Sequence, residues 1–469
     1  MIMPVILWTD ALVFLLVAVV LSFVLYARSK PHLRTPWRHV LGSRLASASI
    51  VILMVYVVIG LLDSLHYRAP LEDNGAGEEV HYGVEVLSVL DYLLEPLHTR
   101  TEKTYSSPFA THLYTRETIQ QADGSQTREY PRLTWGGRHL ADPAADFAGD
   151  IRVRVATACL QALLLTGLLL VLLGVWLARR SRHSLGHAIR SILAGRTRIP
   201  LRVILLTLGV LALLFCLALN LSTAYHVFGT DKVGQDVFYQ TLKSIRTGLV
   251  IGTLTTLVML PFAILMGILA GYARGWIDDL IQYIYTTLNS IPGVLLIAAA
   301  ILMLQVYVSN HPEKFETALE RADIRLLFLC IILGITSWTG LCRLLRGESL
   351  KLREAEYIKA AVSLGVSHAS VIGKHILPNV MHIVLITVVL DFSGLVLAEA
   401  VLSYVGVGVD PTMNSWGNMI NSARLEMARE PVVWWSLLSA FLFMFTLVLA
   451  ANLFSDAVRD AFDPRLRQR

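Results

Sequence analysis

Residues 353–379 read REAEYIKAAVSLGVSHASVIGKHILPN, a polar stretch set between two apolar runs at about 326–345 and 380–403. Each run is long enough to cross a hydrocarbon layer of ~30 Å as a helix, and a helix is required there because lipid offers no partner for a free N–H or C=O. The connector itself reads as two short helices. Residues 353–364 are mostly good helix formers. Gly365 then supplies a carboxyl cap, where left-handed backbone costs least. Ser367 suits the N-cap of a second helix, and Pro378 limits its continuation. Ala360 and Ala361 are small, so one face can seat closely against another surface, with Glu356 and Lys359 leaving charge beside it. By spacing alone this is an amphipathic connector between spans.

Working outward, the same pattern recurs. The 469 residues are 55% hydrophobic and 16% charged, with a mean hydropathy of +0.59, less charge than a soluble domain carries. Length and apolarity predict about nine spans, at roughly 4–26, 45–65, 154–178, 202–222, 248–272, 281–307, 326–345, 380–403 and 433–454. The first begins almost at Met1 and is followed by Arg28, Lys30, Arg34 and Arg38, the charge order of an uncleaved anchor with its amino end outside. Basic residues crowd the 27–44, 179–201 and 346–379 loops and the tail with Arg459, Arg465, Arg467 and Arg469. Alternating spans put all four on one side, which is cytoplasmic by the positive-inside rule. The carboxyl terminus is then inside.

Residues 66–153 are polar and fall outside on this topology. They hold an acidic patch (Glu72, Asp73, Glu78, Glu79) and a short helical pattern at Val84, Leu87, Leu90, Leu93 and Leu94. A small lobe with a marginal core or a partly ordered loop both fit. Cys159, Cys216, Cys330 and Cys342 lie in or beside apolar runs without metal-ligand spacing and read as small buried apolar residues. No phosphate-binding GxxxxGK[ST] loop, no HExxH and no nucleophile with a placed base occurs. The sequence therefore predicts neither a catalytic residue nor a metal or cofactor.

The connector also carries a resemblance. Ala360, Ala361, Gly365, Leu377 and Pro378 are similar to the EAA signature of binding-protein-dependent ABC importer permeases. Lys359 stands where the family places Glu, with Glu356 about one turn earlier, and His375 stands at a usually apolar position. FGTDKVGQD at Phe228–Asp236 resembles the GTDxxGRD motif of the C-type subunit of dipeptide and oligopeptide importers, through Gly229, Thr230, Asp231, Gly234 and Asp236. Gln235 replaces its Arg. EAVLSYVGVGVDPTMNSWGNMI from Glu399 resembles that branch's external loop, and NLFSDAVRDAFDPRLR from Asn452 its tail. Tyr283 and Thr286 stand where the family often has Arg and Asp. The match covers about 223–467.

This resemblance implies an all-α polytopic membrane protein with a six-helix type I importer permease core, an external insert and three extra spans. It divides the chain into two N-terminal spans (1–65), an external segment (66–153), two spans joined by a basic loop (154–222, the second beginning the core) and the remaining core (223–469). It implies a bacterial inner-membrane permease that forms half of a translocation pathway for di- or oligopeptides. The implied partners are a second permease subunit, two ATP-binding subunits of which one docks at 353–379, an external substrate-binding protein and membrane lipid, with no nucleic acid. ATP hydrolysis would belong to the partner subunits. The alternatives are an ion-driven secondary transporter, which needs paired intramembrane charges and repeat symmetry, and a scaffold or receptor using 66–153.

Three residues are pathway candidates by position. Asp391 lies near mid-span, where a carboxylate should face the bundle interior or a wet cavity. Its bland alternative is an interhelical hydrogen bond to Ser or Thr. Asn289 and Pro292 interrupt the sixth span, as a bend in a packing helix or as a break beside a pathway. Residues 415–430 read as an external helix lying on the membrane, with Trp416, Met419, Ile420, Ala423 and Met427 on one face and Trp434 and Trp435 in the headgroup belt.

Overall fold

The computed structural model describes residues 3–29, 31–70, 82–120, 126–182, 184–311, 313 and 317–462. The acidic patch at 72–79 and the tail arginines 465, 467 and 469 lie outside these. The chain opens with β1 (Met3–Val5), α1 (Trp8–Ser29), α2 (Pro31–Gly42) and α3 (Arg44–Asp63). The polar segment holds β2 (His66–Pro70), β3 (Tyr82–Ser88), α4 (Val89–Leu93), α5 (Glu95–Thr99), β4 (Glu117–Gln120) and β5 (Gln126–Glu129). There follow α6 (Pro143–Ser181), α7 (Leu185–Leu193), α8 (Leu201–Ser222), α9 (Val237–Ala273), α10 (Trp276–Ser290), α11 (Gly293–Asn310) and α12 (Ala318–Arg353). Last come α13 (Glu356–Ser363), α14 (His368–Val371), a π turn (Ile372–Ile376), α15 (Leu377–Tyr404), α16 (Trp416–Glu426) and α17 (Trp435–Phe462). Among the described residues nine helices are long and apolar enough to span a membrane: α1, α3, α6, α8, α9, α11, α12, the continuous run His368–Tyr404, and α17.

The chain forms two compact units, each assembled from separated stretches. One comprises residues 1–5, 37–246 and 414–453. Its antiparallel sheet has the order β1-β2-β3, and β4 pairs with β5 in a hairpin. The helical pattern expected around Val84 is a strand up to Ser88. Ser88 stops it, because its hydroxyl accepts from Asp91 N–H while the Asp91 carboxylate accepts from Ser88 N–H, a capping box that starts α4. In this unit α6 packs along α8, with Ala158 and Ala162 buried against Cys216. Cys159, the residue after Ala158, is exposed, so the buried reading fails for that cysteine.

The expected membrane-surface helix, α16, is instead anchored in the protein. Trp416, Met419 and Ala423 are buried, and the Trp416 indole donates to the Thr241 carbonyl at 3.2 Å. Trp435 is buried as well, its indole donating to the Thr230 carbonyl at 3.0 Å, which leaves Trp434 as the exposed member of the pair. Both indoles are buried and find carbonyl acceptors within the protein, and that outweighs interfacial placement.

The second unit comprises residues 6–36, 247–413 and 454–469. Here α1 packs on α12, and both the Thr9 N–H and its hydroxyl donate to the Asp323 carboxylate, with Thr9 and Asp323 buried. The close crossing of α9 and α12 depends on Gly267 and Gly271, one turn apart. A Cβ on Gly267 would lie 2.8 Å from the Cys342 carbonyl oxygen, and one on Gly271 2.5 Å from that of Arg346. Small residues at this spacing let membrane helices approach backbone to backbone. Around the crossing lies a core with Ile268, Trp338, Leu341, Ile358, Ile376 and Val380.

Candidate functional site

The connector closes on itself through ion pairs and hydrogen bonds. α12 ends at Arg353, and α13 starts at Glu356 after a break at Glu354 and Ala355. The helix expected to run from 353 is thus shorter, because Glu354 leaves the helix to meet Arg274 at 2.8 Å and Lys359 at 3.0 Å. Lys359, which stands where a Glu was expected, pairs with Glu354. Glu356 sits exposed in the first turn of α13, where a carboxylate complements the helix dipole. Gly365 follows the helix at φ +79 and Ser367 caps α14 by accepting from Ser370 N–H.

Pro378 does not end the second helix. The π turn Ile372–Ile376 carries the chain into α15, where Pro378 occupies the first turn and needs no donor. Ala360 and Ala361 part company. Ala361 packs against the core around Ile358, whereas Ala360 is exposed with Tyr357 and Leu364, the last 84% exposed. One face of α13 is packed on its own chain and the other is exposed.

Behind α13 runs a groove of about 770 Å3 lined by Leu269, Tyr272, Arg353, Lys359, Ile372 and neighbours. The Tyr272 hydroxyl meets His368 Nδ1 at 2.6 Å, and the Arg353 guanidinium lies over the Tyr272 ring. Two turns before the end of α12, Arg346 grips Asp278 with two parallel bonds of 2.6 and 2.7 Å. This fork ties the foot of α12 to α10, and two distant residues of unremarkable local sequence gave no sign of it.

The 228–236 stretch is a structural clasp. Gly229 and Gly234 take φ +67 and +76, and the Asp231 carboxylate accepts from Val233 and Gln235 N–H, which closes the turn. Asp236 caps α9 by accepting from Phe238 and Tyr239 N–H. Thr230 reaches into the polar segment: its hydroxyl donates to the Thr104 carbonyl at 2.8 Å and accepts from Ser106 N–H at 2.7 Å.

Beside the clasp, His226 is buried between two carboxylates, with Nδ1 2.7 Å from Asp236 and Nε2 3.4 Å from Glu102. Glu102 also accepts from the N–H groups of Thr134, Trp135 and Gly136. Burial opposes the charge on both, and the hydrogen bonds outweigh it, holding Glu102 down to about 2 and pushing His226 up to about 9. Sequence reasoning missed Glu102 and His226, which lie 124 residues apart and form no local pattern.

Of the pathway candidates, Asn289 and Pro292 mark a break. α10 ends at Ser290 and α11 begins at Gly293, so the span expected over 281–307 is two helices and not one bent one. Ser290 through Leu295 are exposed, and Asn289 accepts from the Thr339 hydroxyl at 3.0 Å. Asp391 is half-buried on α15 between exposed Leu390 and Gly394. Among the described residues its carboxylate has no hydrogen-bond or ion-pair partner, so the interhelical bond to Ser or Thr is not formed.

Residues 263–468 match the family model described as binding-protein-dependent transport system inner membrane component. The chain is 32% identical over 243 residues to the oligopeptide transport system permease protein OppC of Haemophilus influenzae, covering 52% of this chain and 71% of that one. It is 31% identical over 242 residues to the glutathione transport system permease protein GsiD of Pectobacterium atrosepticum, covering 52% and 73%. It is 28% identical over 246 residues to the dipeptide transport system permease protein DppC of Bacillus subtilis, covering 52% and 71%. The stretch that matches the family model includes the connector, the crossing of α9 with α12 and the mid-span carboxylate, and with these relatives the chain belongs to the family of binding-protein-dependent transport system inner-membrane components.

Proposed function

We propose that this chain is the permease subunit of an ATP-driven importer of di- or oligopeptides and forms half of a translocation pathway. The observation that carries the coupling role is the two-sided α13, with Ala361 and Ile358 packed on the spans and Tyr357, Ala360 and Leu364 exposed. A partner that seats on the exposed face moves the packed face with it. The Arg346–Asp278 fork and the Gly267–Gly271 crossing make the feet of α9, α10 and α12 move as one body. Alternating access then needs a bundle with two arrangements whose balance nucleotide binding in separate ATPase subunits biases. Peptide cargo is supported by the names of the relatives above. The partners are a second permease, two ATP-binding subunits and an external binding protein. The amino terminus and residues 66–153 lie outside, 353–379 and the carboxyl terminus inside, and the six-span core runs from the second span of 154–222 through 223–469.

The test is co-purification with an importer-type ATP-binding subunit from the same organism. Ala360→Arg or Leu364→Asp, both on the exposed face, should abolish ATPase association while leaving the thermal unfolding of the permease unchanged. ATPase association that survives both substitutions, or peptide uptake that persists without any ATPase, overturns the reading.

A further inference from the structure

We infer that the groove behind α13 binds the phosphate of an anionic phospholipid. Three permanent cations, Arg274, Arg353 and Lys359, stand in or beside it and face one carboxylate, Glu354, which already holds Arg274 and Lys359. Arg353 retains a buried Nη1 with no hydrogen-bond partner among the described residues, an unmet donor in the wall of an open groove. Buried guanidinium donors without an acceptor are costly, and a phosphate oxygen satisfies one with a charge-assisted bond. His368 adds a further ring nitrogen at the rim.

The remaining wall is apolar. Leu269 and Ile372 line it beside the Tyr272 ring, giving an amphiphile's first methylenes a surface next to the site for its headgroup. An independent residue bears on the depth: Trp276, 73% exposed, lies just past the end of α9, and exposed indoles are enriched at the membrane–water interface. A basic pocket at the headgroup level of a spanning bundle is the setting in which anionic lipid is held. A phosphate seated there would bridge Arg353 and Lys359, and so fix the packed face of α13 to the end of α9. The consequence for coupling rests on the role proposed for α13. The binding itself does not, since it can be measured without an ATPase.

The experiment is native mass spectrometry of the full-length chain, extracted in mild detergent and offered phosphatidylglycerol, phosphatidylcholine or inorganic phosphate in turn. Wild type is expected to retain one phosphatidylglycerol in preference to phosphatidylcholine. Arg353→Gln and, separately, the exposed Lys359→Glu should each lower that occupancy about tenfold, while Arg196→Ala in another basic loop leaves it unchanged. Equal retention by wild type and both variants overturns the inference. So does capture of inorganic phosphate without lipid, which would make the groove a site for a free anion.

Discussion

Glu102 donates its N–H to the Gly234 carbonyl at 2.9 Å, and a Cβ on Gly234 would collide with the backbone of Glu102. The motif glycine thus makes room for the polar segment. Gly234→Ala introduces that collision and places a side chain at φ +76, and neither can be relieved by rotamer change. A cost of roughly 2–4 kcal/mol is expected, read as faster proteolysis within 100–137 and a lower midpoint of thermal unfolding. An unchanged cleavage pattern would show that the segment does not depend on the clasp.

His226 gives this attachment a pH dependence. Its folded value of about 9 lies above the ordinary 6.5, so its contribution is fully present below about 6.5 and is lost as the pH rises through 9. Glu102 works the other way: held to about 2 against an ordinary 4.5, it contributes above about 4.5 and fails only as the pH falls through 2. Protection of 100–137 from protease should therefore hold near neutrality and decline between pH 7 and 10. The His226→Asn variant should start lower and lose this alkaline slope. Parallel slopes for the two proteins would assign the transition to another group.

What could be read in advance follows the range of the forces. The nine spans and the caps at Gly365 and Ser367 are set by local composition and backbone preference, which a linear pattern displays. The strand up to Ser88 was misread because Val84, Leu87 and Leu90 fit a helical period too, and only pairing with β2 decides between them. Trp416 and Trp435 were misplaced because indoles suit a headgroup belt and a buried carbonyl alike. Glu102, His226, Asp278 and Arg346 carry no periodic signal, since a polar side chain's partner is chosen by the tertiary fold.

The fork between Arg346 and Asp278 depends on planar, two-point geometry. Arg346→Lys keeps the charge and loses one of the two bonds, so a cost of about 1–2 kcal/mol is expected. Asp278→Asn leaves a half-buried guanidinium without its counter-ion and should cost more. If the fork joins the connector to the spans, Arg346→Lys should also weaken peptide-stimulated ATP hydrolysis in the assembled transporter while ATPase association stays intact. A double exchange, Asp278→Arg with Arg346→Asp, should recover part of the stability. Stability and stimulation that both match wild type in Arg346→Lys would reduce the fork to an incidental contact.

Asp391 presents a different problem, since its carboxylate lies mid-span with no partner among the described residues and with exposed Leu390 and Gly394 beside it. A carboxylate at that depth costs about 2.5–3.5 kcal/mol on insertion scales, so a face that holds one and still opens outward is not a lipid face. In the assembly proposed above it meets either the second permease subunit or the transported solute, and the two cases separate by substrate chemistry. If it lines the pathway, it faces the ammonium group of a peptide, and Asp391→Asn should slow uptake of peptides with a free amino terminus by about tenfold, a loss of about 1.4 kcal/mol. Uptake of the same peptides acetylated at the amino terminus should change little. Loss of co-purifying permease with both substrates affected alike would instead place Asp391 in the subunit interface.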